Sequence, residues 1–353
     1  MLKILGLWPP EDETYGCSFY TAYEVFNILF FQIGVIFFQT ANLFLNLNNL
    51  GVVTKIIFAL IMEMLAPLKS YSVIKNMGTL KQLMTTINSD LFQPKNSRQR
   101  SLIQPNLKAW KNTVGTFWFF SIGWLFSTML YPVFDDTVEY SLPFLAWYPY
   151  NIKISPQYEL TYLHQFAAVS VITFTNITID SLIAALNMYI GAQFDILCDD
   201  LRHFYDSTEN SSEDVSDKLK KCIHHHREIL KFAENANQFY NWLIFEEFFA
   251  GGVSIGLSMF QLTVVAPFTS EFHSHIAYTN GISVQVFMYC WFGNEIEIKS
   301  SKLTYAIFES DWTSLPLETK KELIIFLIRV QKPLKMSAFG LFYLSLETFV
   351  KVY

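Results

Sequence analysis

Cys222, His224, His225 and His226 bring a thiol and three imidazoles within five residues, the ligand types of a zinc site. Consecutive residues on a helix point about 100° apart, so these histidines do not converge on one ion. The cluster reads as a solvated helical face, and no metal is expected. The four cysteines, Cys17, Cys198, Cys222 and Cys290, include no CxxC pair, which excludes a zinc ribbon and a thioredoxin-like site. No metalloprotease motif, Walker loop, dinucleotide fingerprint or visible Ser-His-Asp constellation is present, so neither an enzyme activity nor a cofactor is expected. The remaining reactive groups sit inside apolar stretches: Lys55, Glu63, Asp180, Glu246 and Glu247. Ionisable groups in a bilayer are costly and mark functional positions. Lys55 is expected to snorkel from the outer end of its span. Glu246 and Glu247 are expected at a solvated interface. Glu63 reads toward the inner side of its span, and Asp180 faces either a water-filled vestibule or a polar network.

The elements that carry these groups must be membrane helices. Of 353 residues, 52% are hydrophobic and 16% charged, against about 25% charged in a soluble domain. The 34 Phe, 18 Tyr and 8 Trp exclude a disordered chain. A net charge of −6 and the lack of a basic run argue against nucleic acid as a partner. A span needs about 20 mostly apolar residues. Seven stretches qualify: 25–47, 51–68, 113–134, 166–190, 242–268, 275–294 and 337–353. The expected fold class is all-α: a polytopic, seven-span membrane protein forming a single domain over 1–353.

Charge sets the orientation. The loops 69–112, 193–241 and 295–336 hold eight, six and seven of the 25 Lys and Arg residues. The alternate loops hold only Lys153. The positive-inside rule puts the first three loops and the N-terminus in the cytoplasm. A G-protein-coupled receptor has the opposite orientation. Cys17, Cys198 and Cys222 then lie in reducing cytosol with Cys290 near the inner end of span six, so no disulfide is expected. The sequons at Asn176 and Asn210 fall in a span and in the cytoplasm, and neither should be glycosylated. Helical spacing over 213–240 and 296–336 predicts cytoplasmic helices, either packing on one another or docking other subunits.

The most specific residues lie in a series along the chain: LGLWPP at 5–10, LPFLAWYPYN at 142–151, SPQYELTYLHQ at 155–165, HREIL at 226–230, SKLTYAIFESDWTSLP at 301–316 and KKELIIFLIRVQKPLKMSAFGLFYLSLETF at 320–349. In this order they make the chain resemble the insect odorant receptors over nearly its whole length. The resemblance implies a tuning subunit of a volatile-ligand-gated, non-selective cation channel. Such a subunit would assemble with an odorant co-receptor into a heterotetramer in the plasma membrane of sensory neurons. Its partners would be small volatile apolar ligands, the co-receptor and membrane lipid.

The resemblance places an odorant pocket in the outer half of the bundle. An apolar, aromatic pocket with few hydroxyls suits such ligands. The candidates there are Phe58, Met62, Trp124, Phe126, Ser127, Met129, Tyr131, Phe166, Val169, Phe174, Tyr278, Ile282 and Phe287. The resemblance also implies a subunit anchor, for which Trp312, Leu323, Phe326, Leu327 and Leu334 are candidates, and a pore lined by span seven, with Leu344, Thr348 and Val352. The 17 residues from Ser337 to Tyr353 reach about 25 Å, short of a core of about 30 Å. A truncated last span is therefore expected. Signalling through a separate transducer, a gustatory relative, and a membrane enzyme or transporter stay open as alternatives.

Overall fold

The computed structural model describes residues 1–9, 19–134, 141–205, 212–267 and 269–352, the side chains at 50, 131, 133, 134, 212–214, 270 and 271 excepted. Cys17, Asn210 and the Tyr131 side chain lie outside the described residues. The uncharged N-terminal run forms α1 (Phe19–Phe26) and α2 (Gly34–Leu45), joined through π-helical turns at Asn27–Ile33. α3 (Leu50–Lys75) starts after Asn49, whose side-chain oxygen accepts from the Val52 amide at 3.3 Å. That bond satisfies one of the donors a helix start leaves open. α4 (Met77–Ile87) follows, then a short 3-10 turn at Asp90–Phe92.

Four long helices come next: α5 (Ser97–Phe134), α6 (Gln157–Arg202), α7 (Ser212–Val264) and α8 (Ser270–Glu309). They hold 38, 46, 53 and 40 residues. At 1.5 Å per residue they reach about 57 to 80 Å, about twice a hydrocarbon core or more. Each therefore carries turns beyond any span. Among the described residues, five helices are long and apolar enough to cross a membrane: Phe19–Leu45, Gly51–Lys75, Ser97–Leu130, Gln157–Arg202 and Val215–Val264.

The chain divides into two compact units. The first comprises Met1–Met77, Gly115–Ser181 and Leu243–Val286, the second Gly78–Val114, Leu182–Trp242 and Phe287–Tyr353. In the first unit, Val35, Ala66, Ala168 and Ile172 form one buried cluster, and Leu125, Met129, Phe144 and Val169 another. Phe37, Phe44, Phe119 and Phe249 point outward. Lipid tails are as apolar as leucine, so close packing rather than transfer from water holds such helices together.

Charges in the first unit depart from expectation. Lys69, read as a loop residue, lies in α3 and is 0% exposed. Its ammonium stands 2.7 Å from Asp180 Oδ1 and 2.5 Å from Glu247 Oε2. Gln285 Nε2 donates to the other Asp180 oxygen at 2.6 Å. Asp180 thus belongs to a polar network. Glu247 is buried, not interfacial, because Lys69 offers it a counter-charge that only the packed α3, α6 and α7 bring within reach.

In the second unit, Phe92 is buried against Phe232 and Tyr189, and its carbonyl accepts from Tyr189 Oη at 2.9 Å and Gln193 Nε2 at 2.9 Å. The histidine cluster does not form a solvated face. His224 is exposed, but His225 and His226 are buried. His225 Nε2 donates to Gln193 Oε1 at 3.1 Å and meets the Phe92 ring, while His226 meets Phe194 and Phe326. Burial holds both rings down to a pKa of about 4, aided by Lys95 beside His225 and Arg329 beside His226. Cys198, Cys222 and Cys290 are free thiols, all buried.

α9 (Leu317–Val330) begins after Pro316, whose extended backbone sets the helix entry. The segment read as a seventh helix over 337–353 contains a two-stranded hairpin instead. β1 (Ser337–Ala338) pairs antiparallel with β2 (Phe342–Tyr343), and α10 (Leu346–Val352) follows. The turn needs left-handed backbone at Phe339 (φ 50°) and Gly340 (φ 69°), and the Phe339 amide is held by Asn241 Oδ1.

Candidate functional site

The first unit holds a cavity of about 90 Å³. Four helix stripes build it, each spaced at three or four residues, the repeat that keeps side chains on one helical face. α5 supplies Phe117, Phe120, Ser121 and Trp124; α6 supplies Val169, Ile172, Thr173 and Asn176. α8 supplies Tyr278, Gly281, Ile282 and Gln285; α3 supplies Ala59, Met62 and Glu63. Glu247 of α7 completes the wall.

A second cavity, of about 260 Å³, shares part of this wall. Ala59 and Trp124 line both. Trp124 and Tyr278 approach with ring centroids at 5.7 Å, Tyr278 and Phe58 at 4.3 Å, and Phe58 and His275 at 4.9 Å. Residues 141–145 line the second cavity, with Phe144 clamped by Gln165, whose Oε1 accepts from the Phe144 amide and whose Nε2 donates to the Phe144 carbonyl, both at 3.1 Å.

The first cavity is apolar and aromatic along most of its wall and carboxylate-bearing at one end. Glu63 Oε2 accepts from Gln39 Nε2 at 2.8 Å, and Glu63 Oε1 is buried with no hydrogen-bond partner among the described residues. Asn176 Oδ1 is likewise buried and unpartnered. Glu247 reaches the cavity from the Lys69 network. The arrangement can enclose a small, largely apolar molecule and hold one polar end of it. Among the described residues, no group of three or more His, Cys, Asp or Glu is placed to hold a metal ion.

Of the residues selected from sequence, Met62, Trp124, Val169, Tyr278 and Ile282 come together around the first cavity, and Phe58 with Trp124 around the second. Phe126 and Phe166 are exposed on outer helix faces, and Ser127 is half-buried away from both cavities. Met129 is buried in the Leu125–Phe144–Val169 cluster, and Phe174 packs on Trp118. Phe287 belongs to the second unit, where it meets Trp291 and Phe349. Phe117, Phe120, Asn176 and Gln285 were not selected. Their signal was present: each lies three, four or seven residues from a selected residue on the same stripe.

In the second unit, Leu323 and Phe326 are buried, Leu327 is half-buried, and Ile324, Ile325 and Ile328 point outward from α9. Trp312 is half-buried with its ring against Phe308, and the Leu334 amide donates to Ser300 Oγ at 2.9 Å. Leu344 is buried against Gly293, Thr348 Oγ1 donates to the Tyr343 carbonyl at 2.7 Å, and Val352 is exposed.

Comparison with known proteins adds four findings. The family described as 7tm Odorant receptor matches residues 49–353. Odorant receptor 46a, isoform A, of Drosophila melanogaster is 23% identical over 340 residues, covering 95% of this chain and 87% of its own. Odorant receptor Or1 of Anopheles gambiae is 23% identical over 391 residues, covering 99% and 90%. The structure of the insect olfactory receptor OR5 from Machilis hrabei in complex with eugenol superposes with a TM-score of 0.85 at 17% identity, covering 99% of this chain and 92% of that one.

Proposed function

This chain belongs to the 7tm odorant receptor family, and we propose that it is the tuning subunit of a volatile-ligand-gated, non-selective cation channel working with a common co-receptor. The observation that carries the reading is the aromatic-walled cavity of the first unit. Odorants are small and mostly apolar, and the stripes of α3, α5, α6 and α8 offer them Met62, Trp124, Val169, Tyr278 and Ile282. Phe58 packs against Tyr278 in a tilted ring contact. That a protein of the same fold has been solved in complex with eugenol supports a small-molecule ligand.

The Lys and Arg distribution supports a cytoplasmic N-terminus and cytoplasmic helices in the second unit. The anchor between subunits would run over α9 and the hairpin. Leu323 and Phe326 shape α9 from within, and the outward Ile324, Ile325 and Ile328 supply the apolar contact face. Leu344, Thr348 and Val352 would belong to the segment bordering the pore. The site of action would be the plasma membrane of olfactory sensory neurons.

Voltage clamp tests this directly. Cells expressing the chain with the co-receptor are exposed to a volatile panel while G-protein signalling is blocked. A prompt cation current absent with the co-receptor alone is expected. A surface-expressed chain that stays silent across a broad panel, or responds only when G proteins act, refutes it.

A further inference from the structure

We infer that the cavity beside Trp124 takes a small aliphatic amine, its ammonium held by Glu63 and Asn176 and its chain lying against Trp124 and Phe117; this rests on reading that cavity as the ligand site. Of the unpartnered polar atoms on the cavity wall, Glu63 Oε1 and Asn176 Oδ1 are acceptors, and the Tyr278 hydroxyl can accept as well as donate. A ligand that satisfies them must donate hydrogen bonds, and an ammonium brings three donors. Buried polar atoms without partners are rare enough in folded proteins that each calls for an explanation.

Charge points the same way. Among the described residues, three carboxylates, Glu63, Asp180 and Glu247, share this region with one buried ammonium, that of Lys69. Lys69 is already divided between Asp180 and Glu247. Glu63, 3% exposed, has the Gln39 amide and no cation among the described residues. A buried carboxylate without a counter-charge is strongly disfavoured, and a cationic ligand head supplies one. An aldehyde or ester would set its own oxygen against these acceptors. An alcohol can donate one bond but brings no charge.

Size limits the tail. A cavity of about 90 Å³ corresponds to about six to nine water-sized spheres, hence a ligand of about as many heavy atoms. Trp124 and Tyr278 line the cavity, and aromatic rings suit both a hydrocarbon chain and a nearby ammonium.

The test compares hexylamine, 1-hexanol, hexanal and heptane, which have equal heavy-atom counts. At neutral pH hexylamine is protonated, as a lysine side chain is. Currents are recorded from cells expressing the chain with the co-receptor, for the wild type and Glu63→Gln. In parallel, the melting point of the purified wild-type chain in detergent is measured with each compound, a readout independent of gating. The expected result is a half-maximal concentration for hexylamine at least tenfold below those of the other three. Glu63→Gln should erase that advantage, and hexylamine should stabilise the purified chain most. Equal potency and equal stabilisation by hexanal or heptane overturn the inference, as does a Glu63→Gln variant that retains full amine preference. If Glu63→Gln does not reach the surface, the wild-type melting series decides alone. Stabilisation by hexylamine with no current from any volatile would sink the channel reading and keep the amine site. Currents from other volatiles with neither current nor stabilisation from hexylamine would do the reverse.

Discussion

Lys69→Met removes the cation that neutralises Asp180 and Glu247 while keeping a side chain of similar length. With an effective dielectric near 20, unit charges at 2.7 and 2.5 Å attract by about 6–7 kcal/mol each. The two carboxylates repel one another, and taking each ion out of water costs several kcal/mol. The intact triad is therefore close to break-even, which makes its presence a poor measure of what its loss would do. Removing one partner is different, because it strands two buried anions, and such losses run to about 3–5 kcal/mol. At about 2 °C per kcal/mol for a chain of this length, the melting point should fall by about 6–10 °C. Fluorescence-monitored melting of the detergent-solubilised chain reads this, with surface labelling in cells as a second measure. The triple variant Lys69→Met, Asp180→Asn, Glu247→Gln removes every charge, and the new side-chain amide in place of the Asp180 carboxylate still offers an oxygen to Gln285; it should melt well above the single variant. A single variant within about 1 °C of wild type, or a triple variant no better than the single, would show that the network is not a compensated ion cluster.

Three further outcomes are expected. Gly293→Ala would drive a methyl into the Leu344 Cβ and carbonyl, so it should lower the melting point by an overpacking cost of about 1–3 kcal/mol; an unchanged melt would mean that the hairpin can move away. His225 and His226 are neutral in the folded chain with pKa held near 4, below the ordinary 6.5, so the unfolded state binds more protons between these values. Their contribution is complete above pH 6.5 and is lost as pH falls toward 4, at up to about 1 kcal/mol per pH unit for each ring; the pH-dependence of melting should flatten in the His225→Gln, His226→Gln variant, and equal slopes would contradict this. Trp124→Ala joins the two cavities and should raise the half-maximal concentration of small volatiles about tenfold while favouring larger ones; a parallel change for both sizes would mean that Trp124 is not the partition.

How far the site could be read from sequence depends on what each residue's neighbours are. Trp124, Val169, Tyr278 and Ile282 were accessible because apolar residues on consecutive turns of a span share a face. Phe126 and Phe166 look identical in composition yet face outward, since a lipid-facing phenylalanine and a pocket phenylalanine differ only in helix rotation. Glu63 and Glu247 stood out as intramembrane acids, but their partners did not. Gln39 lies 24 positions before Glu63, and Lys69 pairs with Asp180 across 111 positions. No local pattern encodes such a distance.

Composition, span-length apolar runs and motif order are properties of the chain itself, so the sequence alone determined an all-helical membrane protein and its family. Loop charge acts through the bilayer's surface and also needs no tertiary structure to be read. Helix rotation, burial and register arise only when helices pack, and packing decided the rest. It turned His225 and His226 from an expected wet face into buried neutral rings. It drew Lys69 out of an expected loop into an ion network. At Phe339 and Gly340 it bent an expected continuous helix into a hairpin, where Asn241, far away in sequence, holds the turn.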